Sequence, residues 1–149
     1  MKSKEILALL PYQEPFLFVD EILSVSADSI VGTYTYDKTL PFYQGHFKKN
    51  PVTPGVILTE TMAQIGLVSL GIYLISSETE STVQNKEAIE IAFTSADVNF
   101  FLPVYPGEKV TVKSEKQYFR FNKLKCKVQL FNDQEELVCR GTLTGMMKK

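Results

Sequence analysis

Residues 54–75 read PGVILTETMAQIGLVSLGIYLI. A helix drawn through them is apolar on nearly every side: Val56, Ile57, Leu58, Met62, Ala63, Ile65, Leu67, Val68, Leu70, Ile72, Tyr73, Leu74 and Ile75. A helix apolar all round is buried all round. At 1.5 Å per residue it spans roughly 30 Å, the width of a small domain. Thr53 stands where an N-cap belongs, and Pro54 suits the first helical position. Gly66 and Gly71 weaken a helix but permit close backbone approach. The stretch therefore implies a central helix, either wrapped by a sheet or lying between a sheet and a partner subunit.

The flanks supply the sheet. Ser3 to Leu10 reads as a short helix that Ser3 caps and Pro11 stops. Phe16 to Val25 and Ile30 to Tyr36 read as paired strands, with Gly32 a candidate bulge. Beyond the central helix, Ser76 to Asn85 reads as a surface loop and the likeliest mobile segment. Three or four long strands follow, drawn from Ala88 to Phe101, Lys109 to Phe121, Lys123 to Phe131 and Glu136 to Met146. The middle two alternate apolar residues with lysines, so one face is wet. A two-residue turn at Asn132-Asp133 would set Cys126 opposite Cys139; otherwise both are small buried residues. The order implies an α+β fold, one antiparallel sheet curled round one helix.

At 149 residues the chain reads as a single domain over 1–149, able to bury roughly 70% of its unfolded surface. A net charge of −1 argues against nucleic-acid binding. The apolar run from Thr61 to Ile75 contains Gln64 and is shorter than a membrane span. No export leader is evident, so a cytoplasmic protein with reduced cysteines is expected. One histidine, no CxxC and no carboxylate cluster argue against a metal site.

Three features carry chemistry. His46, the sole histidine, sits in a stretch that Pro41, Pro51 and Pro54 keep irregular. Glu60 lies on the apolar helix among Ile57, Leu58, Met62 and Ala63, where desolvation would keep it protonated. Gly55 and Val56 offer the free amides of a helix start, which can hold an oxygen gaining negative charge. Each has an ordinary reading too: a packing histidine, a glutamate solvated beside Thr61 and Gln64, amides bound to water. Together a base, an acid and an oxyanion hole suit removal of a proton next to a carbonyl with loss of a neighbouring hydroxyl.

Gly45-His46-Phe47, Asn50-Pro51-Val52-Thr53-Pro54-Gly55-Val56 and Glu60-Thr61-Met62-Ala63-Gln64 resemble the signature of bacterial 3-hydroxyacyl-ACP dehydratases of the hot-dog superfamily. Leu10-Pro11 with Pro15 to Asp20, and Phe100 to Glu108, resemble two further motifs of that family. The chain departs from the common pattern at Tyr12-Gln13, Lys48, Thr53, Phe101 and Leu102. The resemblance implies that His46 takes a proton from C2, with its other ring nitrogen held by the Val52 carbonyl. It implies that Glu60 protonates the C3 hydroxyl, that Gln64 orients Glu60, and that the Gly55 and Val56 amides bind the thioester oxygen. It further implies a homodimer whose sites are shared between subunits, with a hexamer as the larger assembly. No diffusible cofactor is implied. The acyl chain would enter a tunnel beside the central helix, and acyl carrier protein would dock at its mouth. The pathway would be fatty-acid or specialised polyene-type lipid synthesis. Two other readings stay open: a hot-dog thioesterase, against which His46 argues, and a non-catalytic acyl-binding module. Thr53, as a cap, would compete with substrate for the Val56 amide.

Overall fold

The computed structural model describes residues 3–78 and 90–148. Six strands form one antiparallel sheet in the order β1-β2-β4-β5-β6-β3. They are β1 (Glu21–Val25), β2 (Ser29–Thr35), β3 (Glu90–Phe100), β4 (Lys109–Arg120), β5 (Lys123–Phe131) and β6 (Leu137–Lys148). Val110, Val112, Leu124, Val128, Leu130 and Leu143 are wholly buried on the inner face. The alternating lysines of β5 face outward, as the period of two requires.

The central helix lies in the curl of this sheet. It comprises α2 (Gly55–Met62), a π segment (Ala63–Ser69) and α3 (Leu70–Glu78). Its middle is buried without a break from Thr61 to Ile72. Although Gly55–Ser77 is long and apolar enough to cross a membrane, it is the core helix of the domain. This is the hot-dog arrangement. Helix and sheet come very close at Gly66, where a Cβ would sit 3.0 Å from Ser114 Cβ and from Val128 Cγ1. The π segment is buttressed by buried hydroxyls: Ser114 Oγ donates to the Gly66 carbonyl at 2.8 Å and Ser69 Oγ to that of Gln64 at 2.7 Å.

Several expectations are corrected. The helix begins at Gly55, with Pro54 rather than Thr53 at the N-cap and no side-chain capping bond. It also runs past Ile75 to Glu78, so Ser76 to Glu78 belong to it; residues 79–85 of the expected loop lie outside the described residues. Ser3 already lies within α1 (Ser3–Leu9). Only Glu21–Val25 of the first expected strand is a strand, because a side chain captures the backbone ahead of it. Gln64 Oε1 accepts from the Phe18 amide at 2.8 Å, and Gln64 Nε2 donates to the Phe16 carbonyl at 3.1 Å. The bulge sits on β1 between Ile22 and Ser24. Gly32 instead clears room for the helix, since a Cβ there would lie 2.8 Å from Ile65.

The β5–β6 connection is longer than a two-residue turn. Asn132 Oδ1 accepts from the Gln134 and Glu136 amides, folding residues 132–136 into one loop. The register then pairs Cys126 with Leu143 and Leu130 with Cys139. Both cysteines are free and buried. Burial pushes the Cys126 thiol up to about 11 and the Cys139 thiol to about 12, so both are unreactive.

Candidate active site

His46 follows a 3-10 turn, Pro41–Gln44, and its amide closes that turn on the Phe42 carbonyl at 3.0 Å. The next residue, Phe47, has φ 62°, a backbone state that bulky residues avoid. The chain reverses there, and the Phe47 ring stacks on the imidazole with centroids 4.3 Å apart. His46 Nδ1 lies 2.8 Å from the Val52 carbonyl. A carbonyl only accepts, so Nδ1 carries the hydrogen and Nε2 of the neutral ring is left as an acceptor.

Tyr43, in the same turn, is buried, and its hydroxyl meets that of buried Thr53 at 2.6 Å. Desolvation raises the Tyr43 pKa, and the Thr53 bond opposes that rise. The Thr53 amide donates to Val104 at 2.8 Å, fixing this segment to the sheet side. Thr53 is therefore engaged sideways, and the conflict expected at the Val56 amide does not arise. The first helical bonds run from the Ile57 and Leu58 amides to the Pro54 carbonyl. The amides of Gly55 and Val56 precede that ladder, as at any helix start. Val56 is 75% exposed. A Cβ on Gly55 would meet the Phe100 ring at 3.2 Å, so that ring covers the helix start.

Glu60 lies one turn further along, partly buried. Desolvation raises its pKa, and a hydrogen bond from Gln64 opposes the rise. Gln64 is wholly buried. Its orientation follows from its neighbours, because the Phe18 amide can only donate and the Phe16 carbonyl can only accept. The Gln64 oxygen must face Phe18, so Nε2 faces Phe16 and also donates to Glu60 Oε2 at 2.9 Å. The other carboxyl oxygen is free to hold a proton. A pocket of about 150 Å³ opens at Glu60, lined by Tyr12, Phe16, Ala63, Leu67, Val68, Ile91 and Phe93. It follows the helix face from Glu60 towards Leu67. Desolvation, with a smaller push from the Glu60 charge, lifts the Tyr12 phenol to about 12.

The structure thus gathers His46 with Val52, and Glu60 with Gln64. Within one chain His46 does not line the Glu60 pocket. A larger hollow of about 670 Å³ lies on the outer face of the sheet, beside Asp97, Lys113, Glu115, Lys127 and Arg140, and holds neither residue. Its open walls carry five charged side chains and suit solvent better than an acyl chain. Sequence reasoning missed the Tyr43–Thr53 bond, the Phe47 stack, the aromatic wall of Tyr12, Phe16 and Phe93, and the Phe100 cover. Only Phe47 left a signal, as an aromatic directly after the lone histidine.

Comparison with known proteins places the chain in a family. Residues 10–141 match the family described as FabA-like domain. The chain is 40% identical over 111 residues to a 3-hydroxyacyl-[acyl-carrier-protein] dehydratase FabZ of Geobacter metallireducens, covering 73% of this chain and 69% of that one. It is 34% identical over 144 residues to the FabZ dehydratase of Syntrophobacter fumaroxidans, covering 96% and 91%. Its fold superposes on the dehydratase heterocomplex ApeI:P of Xenorhabdus doucetiae with a TM-score of 0.79 at 13% identity, covering 97% and 91%. The chain belongs to the FabA-like dehydratase family of the hot-dog superfamily.

Proposed function

We propose that the protein is a 3-hydroxyacyl-[acyl-carrier-protein] dehydratase of fatty-acid biosynthesis, a hydro-lyase converting (3R)-3-hydroxyacyl thioesters into trans-2-enoyl thioesters and water. His46 Nε2 takes the C2 proton. The electron pair moves towards the thioester carbonyl, whose oxygen is held by the Gly55 and Val56 amides. As the C2–C3 double bond forms, the C3–O bond breaks and the Glu60 carboxylic acid gives its proton to the departing hydroxyl. Return of the proton from His46 to Glu60 resets the site. The observation that carries this reading is the division of labour between two environments. The imidazole is oriented with a free acceptor nitrogen, while desolvation raises the pKa of the carboxyl and so favours its acid form. Carbons beyond C3 would follow the Glu60 pocket along the helix.

A homodimer with shared sites, in a single domain over 1–149, completes this reading. It is supported by the separation of His46 from the Glu60 pocket within one chain. It is also supported by β3, a long edge strand exposed at nearly every position. Phe93, Phe100, Phe101 and Leu102 are exposed along and after it, an edge that no described residue covers and that soluble proteins avoid. Two buried free thiols fit a cytoplasmic setting. The test is dehydration of 3-hydroxyacyl-carrier-protein substrates of graded length, followed in both directions by mass spectrometry. His46→Ala and Glu60→Gln should each lower kcat by about 10²- to 10⁴-fold with unchanged circular dichroism. Hydrolysis to a free acid, or full activity in both variants, would refute the assignment.

A further inference from the structure

We propose that the Tyr43–Thr53 hydroxyl pair is a positioning strut for His46, locking the base to the helix start that carries Gly55 and Val56. The inference rests on the dehydratase reading above. Two side-chain ties close the segment from Tyr43 to Thr53, and within it the Asn50 amide donates to the Phe47 carbonyl at 3.0 Å. The outer tie is the hydroxyl pair at 2.6 Å; the inner tie is His46 Nδ1 to the Val52 carbonyl at 2.8 Å. The inner tie alone joins a rotatable ring to the backbone, so it fixes the imidazole only if the two backbone segments are already in register. The outer tie supplies that register. Both its residues are 5% exposed, so each hydroxyl gains a partner inside the fold from the other.

The strut is anchored at each end. The Tyr43 amide bonds to Leu40 at 3.2 Å and its ring packs edge-on against Phe42 at 4.7 Å. The Thr53 amide bonds to Val104 at 2.8 Å. Between the ties the backbone is held in an unfavourable state at Phe47, so the loop would not keep this shape on local preference alone. The pair has a second effect. Thr53 stands one position ahead of the N-cap, and its bond to Tyr43 keeps its hydroxyl from the helix amides. One bond therefore orients the base and leaves the oxyanion donors unoccupied. Tyr43 and Thr53 are positioning residues and act through His46 and the helix start.

The test compares the wild type with Tyr43→Phe, Thr53→Val, Thr53→Ser and the double variant Tyr43→Phe/Thr53→Val. Enoyl-thioester hydration gives kcat and KM, urea titration gives stability, and imidazole ¹⁵N spectra give the tautomer. The sequence holds a single histidine, so those resonances belong to His46. Tyr43→Phe and Thr53→Val should each lower kcat by about 10- to 100-fold, the scale of a misplaced catalytic group, with KM within about twofold. Each should turn the Nδ1-protonated tautomer into a mixture. Thr53→Ser should retain most of kcat. The double variant should regain stability, since no hydroxyl is left unpaired, yet keep the low kcat and mixed tautomer. The strut is refuted if kcat follows stability across the set, or if the single variants keep the wild-type tautomer and rate. A wild type inactive on every enoyl thioester would overturn the dehydratase reading, and the imidazole spectra would then decide the strut by themselves.

Discussion

Glu60 is subject to two opposed influences. Desolvation favours its neutral form and the Gln64 amide favours its charged form, and desolvation prevails, so the folded pKa is raised. The consequence for stability has a definite sign. The stabilisation linked to the protonated acid is complete below the unfolded-state pKa of 4.5 and disappears as pH rises through the higher folded value. Glu60→Gln removes that dependence. Its melting temperature relative to wild type should therefore rise between acidic and neutral pH, while its activity is lost at all pH values. Thermal scans across that range decide the point; a constant difference would mean that folding leaves the Glu60 pKa unshifted. At Thr53 the sequence suggested a cap in conflict with substrate, and the geometry replaces that conflict with the bond to Tyr43. Thr53→Met, which removes the hydroxyl, is accordingly expected to lower kcat and leave KM nearly unchanged in steady-state assays.

The central helix shows how two demands on one residue are weighed. Alanine at Gly66 would gain about 1 kcal/mol of helix propensity. Its methyl group would press on Ser114 and Val128 at 3.0 Å, however, and overpacking of that kind costs about 1–3 kcal/mol. The contact should win, so Gly66→Ala is expected to destabilise by about 1 kcal/mol in urea titrations. Gly66→Val should lose more. This element was legible in the sequence because all-round apolarity depends only on composition and period. The π segment was not, since it answers to Ser69 and Ser114 hydroxyls delivered by tertiary contacts. Phe16 to Asp20 misled in a related way. The residues have strand character, but Gln64, nearly fifty positions away, occupies their backbone groups. The same limit separates His46 and Glu60, conspicuous by type and setting, from Tyr43. Nothing in a tyrosine's neighbours along the chain announces that a 3-10 turn will fold it onto Thr53.

For the whole molecule, the base does not line the pocket of the acid within one chain. The helix-start amides and Glu60 share α2, and β3 is exposed at nearly every position along the edge of the sheet. Association through that edge would shelter Phe93 and Phe100. Native mass spectrometry should then show a dimer or a multiple of one. Mixing inactive His46→Ala with inactive Glu60→Ala should restore up to about a quarter of wild-type activity per protein, because random exchange makes half the molecules hybrid dimers with one intact site each. If subunit exchange is complete and no activity returns, the two groups do not meet across an interface.

Gln64 also joins the first part of the chain to the acid, and thermodynamics makes that junction work both ways. While Phe18 holds the amide oxygen, only N–H can face Glu60, and a facing N–H favours the carboxylate. If residues 16–18 were to leave the helix, the amide could turn and offer its oxygen to the protonated acid. Through this bond, docking of the N-terminal segment favours the carboxylate, while Phe16, which lines the pocket, favours the acid by desolvation. By reciprocity, the net of the two is also the free energy by which a proton on Glu60 tightens or loosens the segment. The readiness of the site to give up a proton and the attachment of a strand-like segment near the amino terminus are one equilibrium, read from its two ends.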